Sequence, residues 1–447
     1  MDNQTIYALS TVYGKSGVAV IRISGSEALT VVSRMTNLNA AAIKPRYAYF
    51  VKLRHAVSDE LLDKCLLLYF KAPHSFSGED IVELHTHGSR AVIAAVMDSL
   101  AQLKSFRLAE PGEFSKRAFY NNKMDLTEAE GLADLIDAET AEQQKYAIRQ
   151  MDGVLKGLYE GWREKLVKIL AHLEAYIDFP DEDIPQNIID NMQNTVFKLC
   201  EDVKKHLQSD NIGERLREGF RVTIIGAPNA GKSSLLNQIA RREAVIVSDI
   251  AGTTRDAIDI HLDLGGYPVM FTDTAGLRET KEEIEQKGIA IAHEKAAQSD
   301  LVIYLFDAST DSAQDIEKYR KEFEGKILVV ANKQDKLEAS RISELKKSGC
   351  LVISAKQNIG TEKLLEAIKE QIGSRFTSNS GLLISRRRYR EALQNVVEYL
   401  NAFSFDKEIE LTAEDIRLAA REIGKITGRI EVDEILDKIF GSFCIGK

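Results

Sequence analysis

The stretch Gly226-Ala227-Pro228-Asn229-Ala230-Gly231-Lys232-Ser233-Ser234 places two glycines, a lysine and a hydroxyl residue at the spacing that holds a polyphosphate. Glycines let successive backbone N–H groups turn inward on anionic oxygens, and a following helix N-terminus favours negative charge. Lys232 has the reach for the β- and γ-phosphates, and the Ser233 hydroxyl suits Mg²⁺. Asn229, Ala230, Gly231 and Ser234 complete the predicted cradle. Arg221-Val222-Thr223-Ile224-Ile225 precedes the loop as a buried-strand run, and Leu235-Leu236-Asn237 continues it as helix. Strand, loop and helix are the setting the motif requires.

Three further motifs follow in order. Asp273-Thr274-Ala275-Gly276 comes after apolar Val269-Met270-Phe271. There Asp273 is expected to hold Mg²⁺ through water, and the Gly276 amide to sense the γ-phosphate. Asn332-Lys333-Gln334-Asp335 comes after Ile327-Leu328-Val329-Val330. The Asp335 carboxylate can accept from the ring N–H and the exocyclic amine of guanine together, a pair that adenine lacks. Asn332 and Lys333 are expected to brace the ring and the phosphate loop. Ser354-Ala355-Lys356, after Leu351-Val352-Ile353, resembles the last guanine-contacting loop of GTPases. Each motif ends a strand, which is where open α/β sheets bind ligands. The expected substrate is GTP.

Between the first two motifs lies Ser248-Asp249-Ile250-Ala251-Gly252-Thr253-Thr254-Arg255-Asp256. A threonine at such a place closes over Mg²⁺ and the γ-phosphate as a switch. Spacing alone leaves Thr253 and Thr254 both open, and Thr254 is the expected switch residue. Leu277 stands where Ras-like proteins carry the glutamine that orients water. Leucine cannot do that, so either hydrolysis is slow or another residue positions the water. Glu279, Glu282, Glu283 and Glu285 lie just downstream, as a solvated helical face or as the source of that residue.

The elements that must position these residues are legible from periodicity. Val18–Ile23 and Cys65–Phe70 read as strands, and 89–104 as a helix. From about 125 to 210 apolar residues fall at helical spacing, as in Leu158, Trp162, Leu166, Ile169 and Leu173. Beyond 219 strand and helix alternate, and 382–440 is helical again. The expected fold is multidomain, α/β plus all-α. An N-terminal α/β domain covers 1–118, and a discontinuous helical domain covers 119–213 and 379–447. A P-loop G domain over 214–378 is inserted in that helical domain.

Composition bounds the rest. A chain of 447 residues exceeds one core, so about three domains of ~100–200 residues are expected. The N-terminus has no apolar secretory core, and no run approaches the ~18 apolar residues of a membrane span. Cys65, Cys200, Cys350 and Cys444 form no CxxC pair. The reading is a cytoplasmic protein. A net charge of −9 argues against a nucleic-acid footprint over the whole surface. Arg386-Arg387-Arg388-Tyr389-Arg390 is the clearest local candidate, as a phosphate or partner contact or as a solvated helical face. His85 and His87 share a strand face but lack a third metal ligand, and the acidic turn Asp178–Asp183 lacks the spacing of a calcium loop. Cys444, beside Phe443, is expected to be packed rather than nucleophilic.

Asp273–Glu279, Gly252–Asp256 and above all the terminal Phe443-Cys444-Ile445-Gly446-Lys447 resemble the MnmE (TrmE) family of tRNA modification GTPases. Ser77–Leu84, Pro111–Phe119 and Asp178-Phe179-Pro180 extend the resemblance along the whole chain, with Ser89 in place of an expected second glycine after Gly88. The resemblance implies that the N-terminal domain binds a reduced folate, of the 5-formyl- or methylene-tetrahydrofolate type, and forms a homodimer. Its folate contacts fall on Arg22, Glu83, Lys123 and Lys447. It also implies an FAD-binding, MnmG-like partner in a heterotetramer that modifies C5 of the wobble uridine of certain tRNAs with an aminomethyl-type group. It implies too that hydrolysis depends on K⁺ and on pairing of the two G domains, the ion held by Asn229 with Ser248, Ile250 and Thr253, and that Glu285 positions the water. A tandem-domain GTP-dependent assembly factor is the alternative. It would carry a second set of nucleotide motifs or a basic RNA-binding module, and neither is in the sequence.

Overall fold

The computed structural model describes residues 4–179, 185–208, 211–242, 259–273, 294–310, 314–377, 383–430 and 433–446. The chain divides into two compact units. The first comprises Met1–Ala133, Gln150–Arg163 and Ile423–Lys447, and the second comprises Asp134–Arg149 and Glu164–Glu422.

In the first unit six strands form one sheet: β1 (Thr5–Leu9), β2 (Ser16–Ser24), β3 (Tyr49–Arg54), β4 (Leu61–Phe70), β5 (Ile81–Gly88) and β6 (Phe106–Leu108), in the order β3-β4-β5-β2-β1-β6. All neighbours are antiparallel except β1 and β6. Strict alternation sets the faces. Ile21, Ile23, Val82, Leu84, Leu67 and Tyr69 point to a core covered by the helices Thr30–Met35 and Arg90–Ala101. Gly88 lies so close to Ser16 that a Cβ there would meet the Ser16 Oγ at 2.0 Å. Ser89 then caps the helix, its hydroxyl accepting from the Val92 N–H at 3.1 Å, which explains a serine where a second glycine was expected. The chain end returns to this unit. The helix Asp433–Gly441 packs Leu436 and Phe440 on Leu126 and Ala129, Ile445 bridges to Pro111, and the Ser10 hydroxyl donates to the Gly446 carbonyl at 3.0 Å.

In the second unit β7 (Phe220–Ile225), β8 (Asp259–Leu264), β9 (Tyr267–Asp273), β10 (Leu301–Asp307), β11 (Ile327–Asn332) and β12 (Leu351–Val352) form a sheet in the order β12-β11-β10-β7-β9-β8. Five of these strands are parallel, and β8 closes the edge antiparallel to β9. Both faces are covered, so β10 is apolar from Leu301 to Phe306, and β7 also sends apolar side chains to both faces. Val222, Ile224, Ile303 and Leu305 enter one core, and Ile225, Val302, Tyr304 and Phe306 enter the other. The helical portion is amphipathic. Gln186–Leu207 buries Met192, Val196, Leu199, Cys200 and Val203, and packs against Arg387–Ala402, which buries Tyr389, Ala392, Leu393, Val396 and Leu400. Among the described residues no helix is long and apolar enough to cross a membrane.

Candidate functional site

The predicted phosphate loop leaves β7 at its C-terminal end and enters the helix Lys232–Arg242. Gly226 takes φ 150° and Gly231 φ 102°. A Cβ on Gly226 would lie 1.9 Å from the Leu305 carbonyl oxygen, and one on Gly231 2.2 Å from Asn332 Nδ2. Only glycine leaves the loop this close to the neighbouring strand ends. Asn229 turns the loop at φ 63°, a left-handed conformation that asparagine tolerates well. Ala230 is buried, while Asn229, Ser233 and Ser234 are exposed. Ser233 is the second residue of the helix, next to the lysine, and is exposed. The Lys232 ammonium lies against its own loop, donating to the carbonyls of Gly226 at 2.6 Å and Ala227 at 3.0 Å.

The predicted base-recognition motif is tied to that loop by one buried amide. Asn332 is 3% exposed; its Nδ2 donates to the Ala230 carbonyl at 2.7 Å and its Oδ1 accepts from the Ala355 N–H at 3.0 Å. A single side chain therefore fixes the phosphate loop and the Ser354-Ala355-Lys356 loop to the end of β11. Asp335 is exposed, and its Oδ1 accepts from the Ser354 hydroxyl at 2.5 Å. That bond, with the charges of Lys336 and Lys356 nearby, lowers the Asp335 carboxyl from its ordinary value and keeps it an acceptor. Lys356 is exposed beside it.

Asp307 belongs to none of the four sequence motifs. It ends β10 in register with Asn332, and its Oδ2 receives the Lys333 ammonium at 2.5 Å. Burial raises this carboxyl, but hydrogen bonds from Lys333 and from the Ser309 hydroxyl and N–H outweigh it and hold it at about 2. An acidic residue closing an otherwise apolar strand is the signal that could have found it.

Asp273 ends β9 beside β7, paired with Ile224. Ser248, Asp249, Ile250, Ala251, Gly252, Thr253, Thr254, Thr274, Ala275, Gly276, Glu285 and Lys447 lie outside the described residues, as does the side chain of Asp273.

In the first unit, strand register sets Arg22 opposite Glu83 on the sheet face away from the main core. Their side chains form an ion pair at 2.9 Å, 22% and 14% exposed. The Arg22 guanidinium also lies over the rings of Phe76 at 5.3 Å and Phe114 at 5.8 Å, and His85 Nε2 meets the second Glu83 oxygen at 3.2 Å. Lys123 donates to the Pro73 carbonyl at 2.9 Å, at the start of the segment that carries Phe76. Arg22, Glu83 and Lys123 thus gather around residues 73–83 of one unit.

Two expectations change. The arginine run is neither a simple solvated face nor an open phosphate site. Arg386 donates to Asp134 at 2.6 Å, Arg390 to Glu214 at 3.2 Å, and Arg388 stacks on Tyr389, leaving Arg387 with Glu391 on the surface. Acidic partners distant in sequence neutralise it. Cys444 is exposed rather than packed, because Phe443 takes the apolar contact, 5.4 Å from the Phe440 ring. Among the described residues no cluster of three or more histidine, cysteine or carboxylate side chains could hold a metal ion, His85 and His87 included.

Comparison with known proteins extends over the whole chain. Residues 126–444 match the family model described as MnmE helical domain, and residues 5–123 the model of the GTP-binding protein TrmE N-terminus. The tRNA modification GTPase MnmE of Paramagnetospirillum magneticum is 48% identical over 445 residues, covering 100% of both chains. That of Rickettsia bellii strain RML369-C is 46% identical over 446 residues, covering 99% of this chain and 100% of its own, and that of Rickettsia rickettsii strain Sheila Smith matches to the same extent.

Proposed function

The chain belongs to the MnmE family of tRNA modification GTPases, and from that premise we propose a K⁺-dependent GTPase that drives modification of C5 of the wobble uridine. Its three domains are then 1–118, 119–213 with 379–447, and 214–378. The N-terminal domain binds a reduced folate through Arg22, Glu83, Lys123 and Lys447 and forms a homodimer. An FAD-binding, MnmG-like subunit joins it in a cytoplasmic heterotetramer that adds the aminomethyl-type group. The observation that carries the nucleotide part is the Asn332 side chain, bonded at once to the phosphate loop and to the loop that supports Asp335.

In this reading the guanine edge meets the Asp335 carboxylate, which Ser354 holds in place. The loop amides from Asn229 to Ser234 cradle the phosphates, and Lys232 turns from the Gly226 and Ala227 carbonyls to the β- and γ-oxygens. When bound, Mg²⁺ at Ser233 and Thr254 and K⁺ at Asn229, Ser248, Ile250 and Thr253 supply positive charge where negative charge builds up. Glu285 orients water for in-line attack on the γ-phosphorus, and GDP departs with the bridging oxygen. Leu277 takes no part in that step. Arg22 offers a cation for a folate carboxylate, and Glu83 an acceptor for the amino and ring N–H groups of a pterin.

The test is mass spectrometry of wobble-uridine nucleosides from cells lacking the chain. The C5 group should be absent there, restored by the wild-type chain and not by a Lys232→Ala variant. Unchanged nucleosides in the deletion would remove the proposal.

A further inference from the structure

Lys333 sits between the two residues that define the nucleotide site, with Asn332 before it and Asp335 two positions after it. Its backbone is left-handed, φ 66°, which no unbranched side chain adopts without some cost. A four-carbon stem ending in an ammonium is the most mobile kind of side chain, so one that must lie along a flat ring needs something to hold its far end.

Asp307 provides that hold. Its Oδ2 lies 2.5 Å from the Lys333 ammonium, and the two side chains are only 15% and 27% exposed. The carboxylate is itself fixed, its Oδ1 accepting from the Ser309 hydroxyl at 2.6 Å and from the Ser309 N–H at 3.1 Å. It comes from a different strand, β10, whose end the β10–β11 register brings level with Asn332. The stem is therefore pinned at both ends, at the strained backbone and at the ion pair.

We propose that Asp307 is a positioning residue for nucleotide binding. It holds the stem of Lys333 as a wall of the guanine slot beside Asp335, and so sets how slowly guanine nucleotide leaves. The inference rests on the GTP-binding reading above and adds the residue that keeps its base site rigid. Asp307 does not touch the reacting phosphates in this account. Its loss should appear in retention of nucleotide and leave the chemical step alone.

The experiment uses the full chain with fluorescent GDP and stopped-flow release. Asp307→Ala removes a charge-assisted hydrogen bond, and the release rate should rise about ten- to a hundredfold. KM for GTP should rise in step, with kcat at saturating GTP within about twofold of wild type. Asp307→Asn, which keeps an oxygen acceptor in the same place, should recover part of the loss. Two results overturn the assignment. One is wild-type release from Asp307→Ala. The other is a variant whose kcat and thermal stability fall together without rescue by asparagine, which would make Asp307 a fold residue only. Failure of the wild-type chain to bind the GDP probe would instead sink the nucleotide reading itself, so the two failures are distinguishable.

Discussion

Asn332→Ala should loosen the phosphate loop without touching it. The wild-type amide fills a buried position and serves two loops, donating to the Ala230 carbonyl at 2.7 Å and accepting from the Ala355 N–H at 3.0 Å. Alanine leaves the Ala355 N–H, on a residue 4% exposed, with no acceptor from that side. A buried donor left unsatisfied costs roughly 1–3 kcal/mol, and losing the bond to the carbonyl adds about 1 kcal/mol. The sum, about 2–4 kcal/mol, falls on the local stability of residues 226–236 and 353–357. Because the chain has two compact units, a single unfolding midpoint would blur this effect. Hydrogen exchange resolves it, and amide protection in those segments should fall by roughly thirtyfold to a thousandfold. Asn332→Asp separates the two contacts. It keeps an acceptor for Ala355 but sets an anion against the Ala230 carbonyl, so the phosphate loop should lose its protection and the 353–357 loop keep most of it. Wild-type exchange rates in Asn332→Ala would refute the claim that one side chain couples the two loops.

Asp335→Asn should weaken GTP binding by a few kcal/mol and improve binding of xanthosine triphosphate, whose ring presents a carbonyl where guanine has an amine; equal GTP affinity by calorimetry would remove the base assignment. Arg22→Ala should weaken binding of 5-formyltetrahydrofolate while leaving guanine-nucleotide affinity intact, and full folate affinity by calorimetry would move that site elsewhere. His206, in the helix Gln186–Leu207, is pushed down to about 4, first by burial and then by the positive charge of Arg390. The unfolded chain takes up a proton there near pH 6.5 and the folded chain does not, so this contribution is complete above about pH 6.5 and is lost as pH falls through 4. Its size is on the order of 3 kcal/mol. His206→Gln should flatten that part of the stability–pH curve in denaturant titrations at pH 7 and 4.5, and parallel curves would exclude the mechanism.

The parts of the site legible in the sequence are those whose chemistry is local. Gly226, Gly231 and Lys232 carry their spacing with them, and the apolar runs before Asn332 and Ser354 mark strands because both sheet faces are covered. What was not legible depends on partners far along the chain. Asp307 lies 26 residues from Lys333, and only the parallel register of β10 and β11 makes them neighbours. Asp134 lies 252 residues from Arg386, so a basic run that looked available is spent on an internal ion pair. Arg22 and Glu83 are 61 residues apart in the chain, yet they face each other across adjacent strands. Ser89 departed from the expected glycine because a helix cap mattered more there than a turn.

The remaining question is how a site with leucine in the usual glutamine position turns over. Transfer of the γ-phosphoryl group builds negative charge between the β- and γ-phosphates, and no arginine of the sequence is an evident finger, Arg255 being the nearest candidate. Asn229 offers another source of charge. It is exposed, at a turn of the phosphate loop, in a left-handed conformation. An amide oxygen there can ligate a monovalent cation against the phosphates, and in the proposed reading Ser248, Ile250 and Thr253 would supply further oxygens. A larger, more weakly hydrated ion gives up its water to such a set more readily than a small one, so K⁺ should outperform Na⁺. The expected outcome is single-turnover hydrolysis at least tenfold faster in KCl than in NaCl at equal ionic strength, a difference of about 1.4 kcal/mol in the barrier. Asn229→Ala should remove most of that difference, while Glu285→Ala should abolish turnover in both salts with nucleotide binding intact, if it acts on water as proposed. GDP–aluminium fluoride should trap paired nucleotide domains in K⁺ and not in Na⁺. Equal rates in the two salts, or pairing indifferent to the cation, would sink this account and return Arg255 as the residue to test.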